Sequence, residues 1–345
     1  MNSRRFRASV LIDTYNHEKY IEQAVVSAME QDFPASDYEI VVVDDGSTDR
    51  TPEIVRKFAP RVRLLTKKNG GQASAFNAAV PELRGEIIAF LDGDDWWRRE
   101  KLSAAVAAFA EHPDAAAVGH GFFEFCERTG KTKVCVPERP GLADLTTSER
   151  AHGAFQVWDF FRTSGIAVRR EILDRLLPIP EGLVFCADTL ISGACIARGV
   201  WACQEPLMYY RVHGENLCAF ERTGDDAKAR RRSEMHELLF ELLEPMLVKM
   251  GVRRDVAWAL LYPYFTELMR FKLSRFGGSR LNAFRTEMRA FAAEYPNPSL
   301  RYRIFKHTAV GAATLLLPPR TFYRAKEWYA GKNLGRLRER VAKSA

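Results

Sequence analysis

The 345-residue chain has no apolar run long enough to cross a bilayer. A spanning helix needs about 20 such residues. The longest candidate, Ala309 to Leu317, holds nine before Pro318 and Pro319. A secretion signal is missing too: the apolar run near the basic N-terminus is about six residues and is interrupted by Asp13. None of the six cysteines (Cys126, Cys135, Cys186, Cys195, Cys203, Cys218) forms a CxxC pair, which excludes a zinc knuckle or a thioredoxin-like motif. The expectation is a cytoplasmic protein with reduced, mostly buried thiols. No internal repeat is present, and the glycine fingerprint of dinucleotide-binding folds does not follow the first apolar run, where the sequence reads DTYNHEK.

What is present is a globular composition, 47% hydrophobic and 28% charged, enough for one large or two modest domains. The net charge of +7 is unevenly placed: residues 301–345 carry +9 and the first 300 residues −2. A nucleic-acid partner for the whole chain is therefore disfavoured. The tail interleaves Lys and Arg with Phe305, Phe322, Tyr323, Trp328, Tyr329 and the run AVGAATLLL, a pattern suited to lying on an anionic membrane surface. Packed aromatics with solvated charges are the plainer alternative.

Residues 8–119 alternate short apolar runs with amphipathic stretches. The runs 8–12, 39–43, 62–66, 86–90 and 115–119 predict buried strands. Ile21, Ala24, Val25, Ala28 and Met29 mark one face of a first helix, and a second starts near Thr51, Pro52 and Glu53. This is the pattern of βαβ units around a largely parallel sheet. Residues 120–150 read as a loop-rich connection. From 226 onward three amphipathic stretches predict a helical C-terminal region, so the expected division is 1–225 (with 1–119 and 120–225 as halves) and 226–345.

The chemistry is concentrated in carboxylates at strand ends. Asp13 follows the first run, Asp44 and Asp45 the second (VVVDDGSTD), and Asp92, Asp94 and Asp95 the fourth (FLDGDDWW). In open parallel sheets ligands bind beyond the carboxyl ends of the strands. So many acids on one crevice need a counter-charge. Mg²⁺ or Mn²⁺, which take carboxylate and phosphate oxygens, would supply it. DDGSTD alone also suits a turn followed by a helix cap. Gly70 and Gly71, ahead of a helix start in NGGQASAFN, allow close backbone approach to an anion or a sugar.

The segments SVLIDTYN, SAMEQDF, VVVDDGSTDRT, NGGQASAFNAA and AFLDGDDWW, in this order and spacing, resemble the nucleotide-binding half of family 2 glycosyltransferases. A thinner match runs on through TSGIAVRREIL, FCADTLIS and YYRVHGEN to about residue 217. The resemblance implies a GT-A fold, α/β and Rossmann-like with a mainly parallel central sheet. It implies a nucleoside diphosphate sugar donor, in all expectation a UDP-sugar, and inverting transfer to a glycan, lipid-linked or small-molecule acceptor, as in bacterial polysaccharide or glycoconjugate synthesis. Thr14 and Tyr15 then flank the base, Asp45 hydrogen-bonds it and Asp44 supports that loop. Asp92 and Asp94 form the DxD; Asp94 or Asp95 binds the metal while a neighbour takes the ribose. Gln72 and Asn77 are polar contacts near the nucleotide.

Asp188 matches the family's acidic motif, in which the Asp is the general base; Ala187 stands where that motif has Glu. Asp188 also suits a helix cap. Arg211 and His213 are expected near the diphosphate or the metal, and Trp96 and Trp97 either wall the acceptor pocket or pack in the core. Asp13 stands where the family more often has proline. The alternatives are a non-catalytic nucleotide-sugar-binding protein and a sugar nucleotidyltransferase; the latter's glycine- and basic-rich N-terminal signature is missing.

Overall fold

The structure, a computed structural model, describes residues 6–214, 216 and 226–294, with positions 308, 311–313, 315–318 and 321. The basic tail therefore lies almost entirely outside the described residues. No helix among the described residues is long and apolar enough to cross a membrane.

Four strands form the parallel half of the sheet: β1 (Phe6–Thr14), β2 (Tyr38–Asp44), β3 (Val62–Thr66) and β4 (Gly85–Asp92), in the spatial order β3-β2-β1-β4. Every residue of β2 is buried, as a strand covered on both faces requires. Side chains alternate between two cores. Val10, Ile12, Ile40 and Val42 face α1 (Ile21–Met29) and α4 (Lys101–Glu111), whereas Leu11, Val41, Val43 and Phe90 face α3 (Gln72–Ala79). Burying one such side chain is worth roughly 1.5–3 kcal/mol. α1 turns Ile21, Ala24, Val25 and Ala28 inward, the face given by its spacing. α2 (Thr51–Arg56) begins with proline in its first turn, where no hydrogen bond is lost.

The second half of the sheet is mixed. β6 (Ala117–Cys126) runs parallel to β10 (Val200–Val212), and between β4 and β6 lies the short antiparallel β9 (Ala167–Arg169). β5 (Trp96–Trp97) closes the far side against β10. The loop-rich reading of 120–150 is corrected here. β6 extends to Cys126, β7 (Lys131–Cys135) pairs with it, and β8 (Gly141–Ala143) pairs with β10. β7 is an exposed edge strand whose Lys131, Thr132 and Lys133 give no apolar alternation to read.

α5 (Ser148–Val157), α6 (Arg170–Leu176) and α7 (Ala187–Ile196) cover this half. Three helices follow: α8 (Asp226–Lys249), α9 (Arg254–Phe276) and α10 (Arg280–Glu294). Leu239, Leu243 and Leu247 of α8 and Val256 and Leu260 of α9 enter the same buried cluster as Leu11, Phe76 and Leu190, so these helices share the core of the sheet.

Candidate active site

The parallel register sets the acids side by side. Asp13 pairs with Asp92 across β1 and β4, and Thr14 pairs with Asp44 across β1 and β2. The three acidic loops therefore open on one edge, at the carboxyl ends of the strands.

On one flank lie Asp44 and Asp45. Asp44 accepts the Ser47 N–H at 3.2 Å, which holds the DDGS turn. Asp45 accepts from Lys67 Nζ (2.6 Å), Gly70 N (3.1 Å) and Gly71 N (2.6 Å). Gly71 has φ of +85°, and a Cβ there would stand 2.6 Å from the backbone of Val184; only glycine lets this loop approach both Asp45 and the segment before α7. Thr14 is buried, with its hydroxyl 3.2 Å from His17 Nδ1, while Tyr15 is exposed.

The other flank is the DGDD turn. Oxygens of Asp92, Asp94 and Asp95 lie within 4.8 Å of one another, a spacing that fits a small divalent cation. Each of the three has a different environment. Asp94 meets His213 Nε2 at 2.9 Å and His17 Nε2 at 4.0 Å. Burial works to raise its carboxyl, but the His213 hydrogen bond and the two imidazoles outweigh it and hold the group below the usual range. Asp95 accepts from Ser164 Oγ (2.6 Å) and the Arg211 N–H (2.8 Å); burial, with the Asp94 charge, still pushes it well up. Asp92 is pushed well up by burial and then by the charges of Asp13, Asp95, Asp94 and Asp188. Asp13 is raised to about 7 by burial, Asp188 and Asp94.

Arg211 fastens this flank. Its Nε donates to the Asp94 carbonyl (2.8 Å) and its Nη2 to Gln23 Oε1 (2.5 Å), and its guanidinium lies over Tyr20 and Trp96. Trp96 stacks on Tyr209 at 4.6 Å. Trp97 is buried and donates its indole N–H to the Ser164 carbonyl at 2.8 Å.

Asp188 occupies the first turn of α7, where a carboxylate is favoured by the helix dipole. Its Oδ2 accepts from the Thr163 N–H (3.1 Å) and hydroxyl (3.0 Å), and its Oδ1 from those of Thr189 (2.7 and 3.2 Å). Gln72 spans the gap between helices: its Oε1 accepts the Ala187 N–H (3.0 Å) and its Nε2 reaches Thr163 Oγ1 (3.3 Å). Asn77 is tied at both amide atoms to the backbone of Ile179 (2.8 and 2.7 Å), which fastens α3 to the segment before α7.

The fold thus gathers Asp13, Asp92, Asp94, Asp95, Asp188, Gln72, Arg211 and His213 around one crevice, with Asp44 and Asp45 on its flank. Asn77 and Trp97 spend their polar atoms on backbone carbonyl and amide groups. Sequence reasoning missed His17, Lys67 and the Thr163–Ser164 turn. His17 was detectable only as a second imidazole four residues beyond Asp13, and the turn only as the start of TSGIAVRREIL in the thinner part of the resemblance.

Comparison with known proteins agrees with this geometry. The profile of Glycosyl transferase family 2 matches residues 9–177, which include every acid up to Asp95 and stop short of Asp188, Arg211 and His213. Over 269 residues the chain is 33% identical to an uncharacterised glycosyltransferase of Nostoc sp., covering 74% of this chain and 81% of that one. Over 108 residues it is 42% identical to the poly(ribitol-phosphate) β-N-acetylglucosaminyltransferase TarS of Staphylococcus aureus, spanning 30% of this chain but only 19% of that protein. The crystal structure of S. aureus TarS 1-349 in complex with UDP-GlcNAc matches with a TM-score of 0.68 at 20% identity, covering 94% of this chain and 92% of that one. That likeness is one of fold, and the fold is GT-A, with helices in the C-terminal region. On the Nostoc match, which spans 81% of that protein, and the profile together, the chain belongs to glycosyl transferase family 2.

Proposed function

We propose that the protein is an inverting glycosyltransferase that moves a sugar from a UDP-sugar to an acceptor hydroxyl, with Asp188 as general base. The observation that supports it most is a single juxtaposition. A carboxylate set spaced for a divalent cation stands close enough to Asp188 for the Asp188 charge to help push Asp92 up. The UDP-sugar assignment is supported by likeness to a protein whose structure holds UDP-GlcNAc.

The donor set fits Mg²⁺ or Mn²⁺: oxygens only, closely spaced, and mutually repulsive without a cation. We assign Asp94 and Asp92 as the cation-facing pair. Asp95, held by Ser164 and Arg211, supports them and is the second candidate ligand. When bound, the cation supplies positive charge to the diphosphate as it leaves. His213 and His17 keep Asp94 ionised and aimed. Asp45, with Lys67 beside it, faces the nucleotide base, Thr14 and Tyr15 flank it, and Asp44 holds the turn.

In the transfer step the acceptor oxygen attacks the anomeric carbon while Asp188 takes its proton, and the bond from that carbon to the diphosphate oxygen breaks. One displacement inverts the configuration. Thr163 and Thr189 fix the Asp188 carboxylate and Gln72 orients the loop that carries it. Asn77 and Trp97 act as supports. We place the acceptor among glycans, lipid-linked sugars and small molecules of bacterial glycoconjugate synthesis. The charge of 301–345 supports a tail resting on an anionic membrane; salt-sensitive sedimentation with anionic but not neutral vesicles, lost on truncation near 300, tests this.

The test of the whole reading is nucleoside diphosphate release from UDP-GlcNAc, UDP-glucose, UDP-galactose and GDP-mannose with Mn²⁺ and candidate acceptors. Release from a UDP-sugar, with an inverted product, is expected. A product that retains configuration rejects the single displacement, and release confined to GDP-mannose rejects the UDP assignment.

A further inference from the structure

Asp13 differs from Asp45, Asp95 and Asp188 in how its oxygens are served. By the alternation of β1 its side chain lies on the face of Leu11, toward α3 and α7, as Asp92 lies on the face of Phe90. Asp45, Asp95 and Asp188 each place both oxygens against donors. Asp13 does not. Its Oδ1 is enclosed and has no hydrogen-bond partner, and it is the one such carboxylate oxygen among the described residues. A buried acceptor without a donor is costly, so its persistence calls for a partner that the protein itself does not supply.

Three kinds of group could fill that position: a cation, an N–H or a hydroxyl. The closely spaced cation set consists of Asp92, Asp94 and Asp95 and does not include Asp13. Its position argues for the sugar instead. Asp13 is near enough to Asp94 and to Asp188 to feel both charges. With the diphosphate at Asp94 and the acceptor at Asp188, as in the function proposed above and resting on it, the transferred sugar must lie between them, within reach of both groups whose charges Asp13 feels.

We propose that Asp13 is a donor-specificity residue whose Oδ1 accepts a hydrogen bond from a hydroxyl or N–H of the transferred sugar. A site built around a substrate hydroxyl rejects the analogue that lacks it, because the protein group is then left unpaired.

The experiment uses the full chain with Mn²⁺ and the donor found active in the panel above. Turnover is measured with that donor and with each of its monodeoxy analogues, for wild type, Asp13→Asn and Asp13→Ala, and binding of UDP alone (or GDP, to match the donor) by calorimetry. In wild type, one deoxy position is expected to cost on the order of 10- to 100-fold in kcat/KM. In Asp13→Ala that penalty should shrink to about twofold, with Asp13→Asn between, while affinity for the free nucleotide stays within about twofold in both variants. Retained nucleotide binding shows that the variants are folded. Deoxy penalties unchanged at every position in both variants overturn the proposal, as does parallel weakening of nucleotide and nucleotide-sugar binding in both. If wild type turns over no donor at all, the transferase reading fails, and this inference fails with it; an active wild type with indifferent variants sinks this inference alone.

Discussion

The two flanks of the crevice are built from the same residue type and treat it in opposite ways. On the Asp44–Asp45 flank the charges are compensated within the protein: Lys67 and two glycine N–H groups converge on Asp45, and Ser47 closes on Asp44. On the Asp13–Asp92–Asp95 flank burial and neighbouring carboxylates push the groups up, and one enclosed oxygen has no donor. Only Asp94, between two imidazoles, is held down. The first flank is satisfied within the protein. The second is a destabilised one whose compensation must come from a ligand, as expected where binding energy is directed at charge that develops in a reaction.

The contrast is broken most sharply by Asp94→Ala. Loss of the cation-facing carboxylate should remove several kcal/mol of charge stabilisation, on the order of 10³-fold or more in turnover, with the melting temperature retained. A chelator should do the same to wild type. Mn²⁺ at about 100 times its dissociation constant should stabilise wild type by about 2.7 kcal/mol, and Asp94→Ala much less. Full activity in the variant or in chelator would end the metal reading.

Next in size is Asp188→Asn, expected to lower kcat by roughly 10²–10⁴-fold, the usual worth of a general base, with donor KM little changed. A rise in KM at constant kcat would move Asp188 from proton transfer to binding.

Asp45→Asn sharpens the comparison from the compensated side. It leaves Lys67 without its carboxylate and weakens two N–H bonds, and should cost about 1.5–3 kcal/mol of stability, read by denaturant midpoint. Nucleotide affinity should fall on the order of tenfold, the worth of one such hydrogen bond. An unchanged midpoint would show that the flank is not self-supporting.

The smallest effect lies beneath the crevice floor. Lys101 is fully enclosed, donates to the Gly165 carbonyl at 2.7 Å, and has Cys203 and His120 as titratable neighbours. Burial lowers its ammonium from 10.5 to about 7, partly opposed by Cys203. Between those values the unfolded chain holds the proton more tightly than the folded one. Stability therefore rises with pH through this window, and below about pH 7 the full penalty of the buried charge is present. From pH 7 to 8.5 the rise in melting temperature should flatten in Lys101→Met. An identical slope in both proteins would show that the amine is not buried in solution.

Much of this was legible in the sequence. The runs at 8–12, 39–43, 62–66 and 86–90 lie within β1 to β4, and the three late amphipathic stretches correspond to α8, α9 and α10. Both patterns depend on burial repeated every 2 or 3.6 residues, a property of neighbours in the chain. Acids at strand ends were legible for the same reason: where a parallel strand stops is local, and the sheet then aligns the ends. β7, β9 and the length of β10 were not, since β7 is polar and exposed, β9 has three residues and β10 breaks its alternation with bulges.

The sequence by itself therefore determined which residue types stand at the strand ends, and with them the family resemblance and the nucleotide-side fold. Tertiary structure alone decided which carboxylate oxygens are satisfied. His213 reaches Asp94 across 119 positions, Arg211 reaches Asp95 across 116, and Thr163 reaches Asp188 across 25. Hydrogen-bond satisfaction is a property of atoms a few ångströms apart, and no periodicity in the chain records which distant donors the folded sheet brings to an acid, or that it brings none to Asp13 Oδ1.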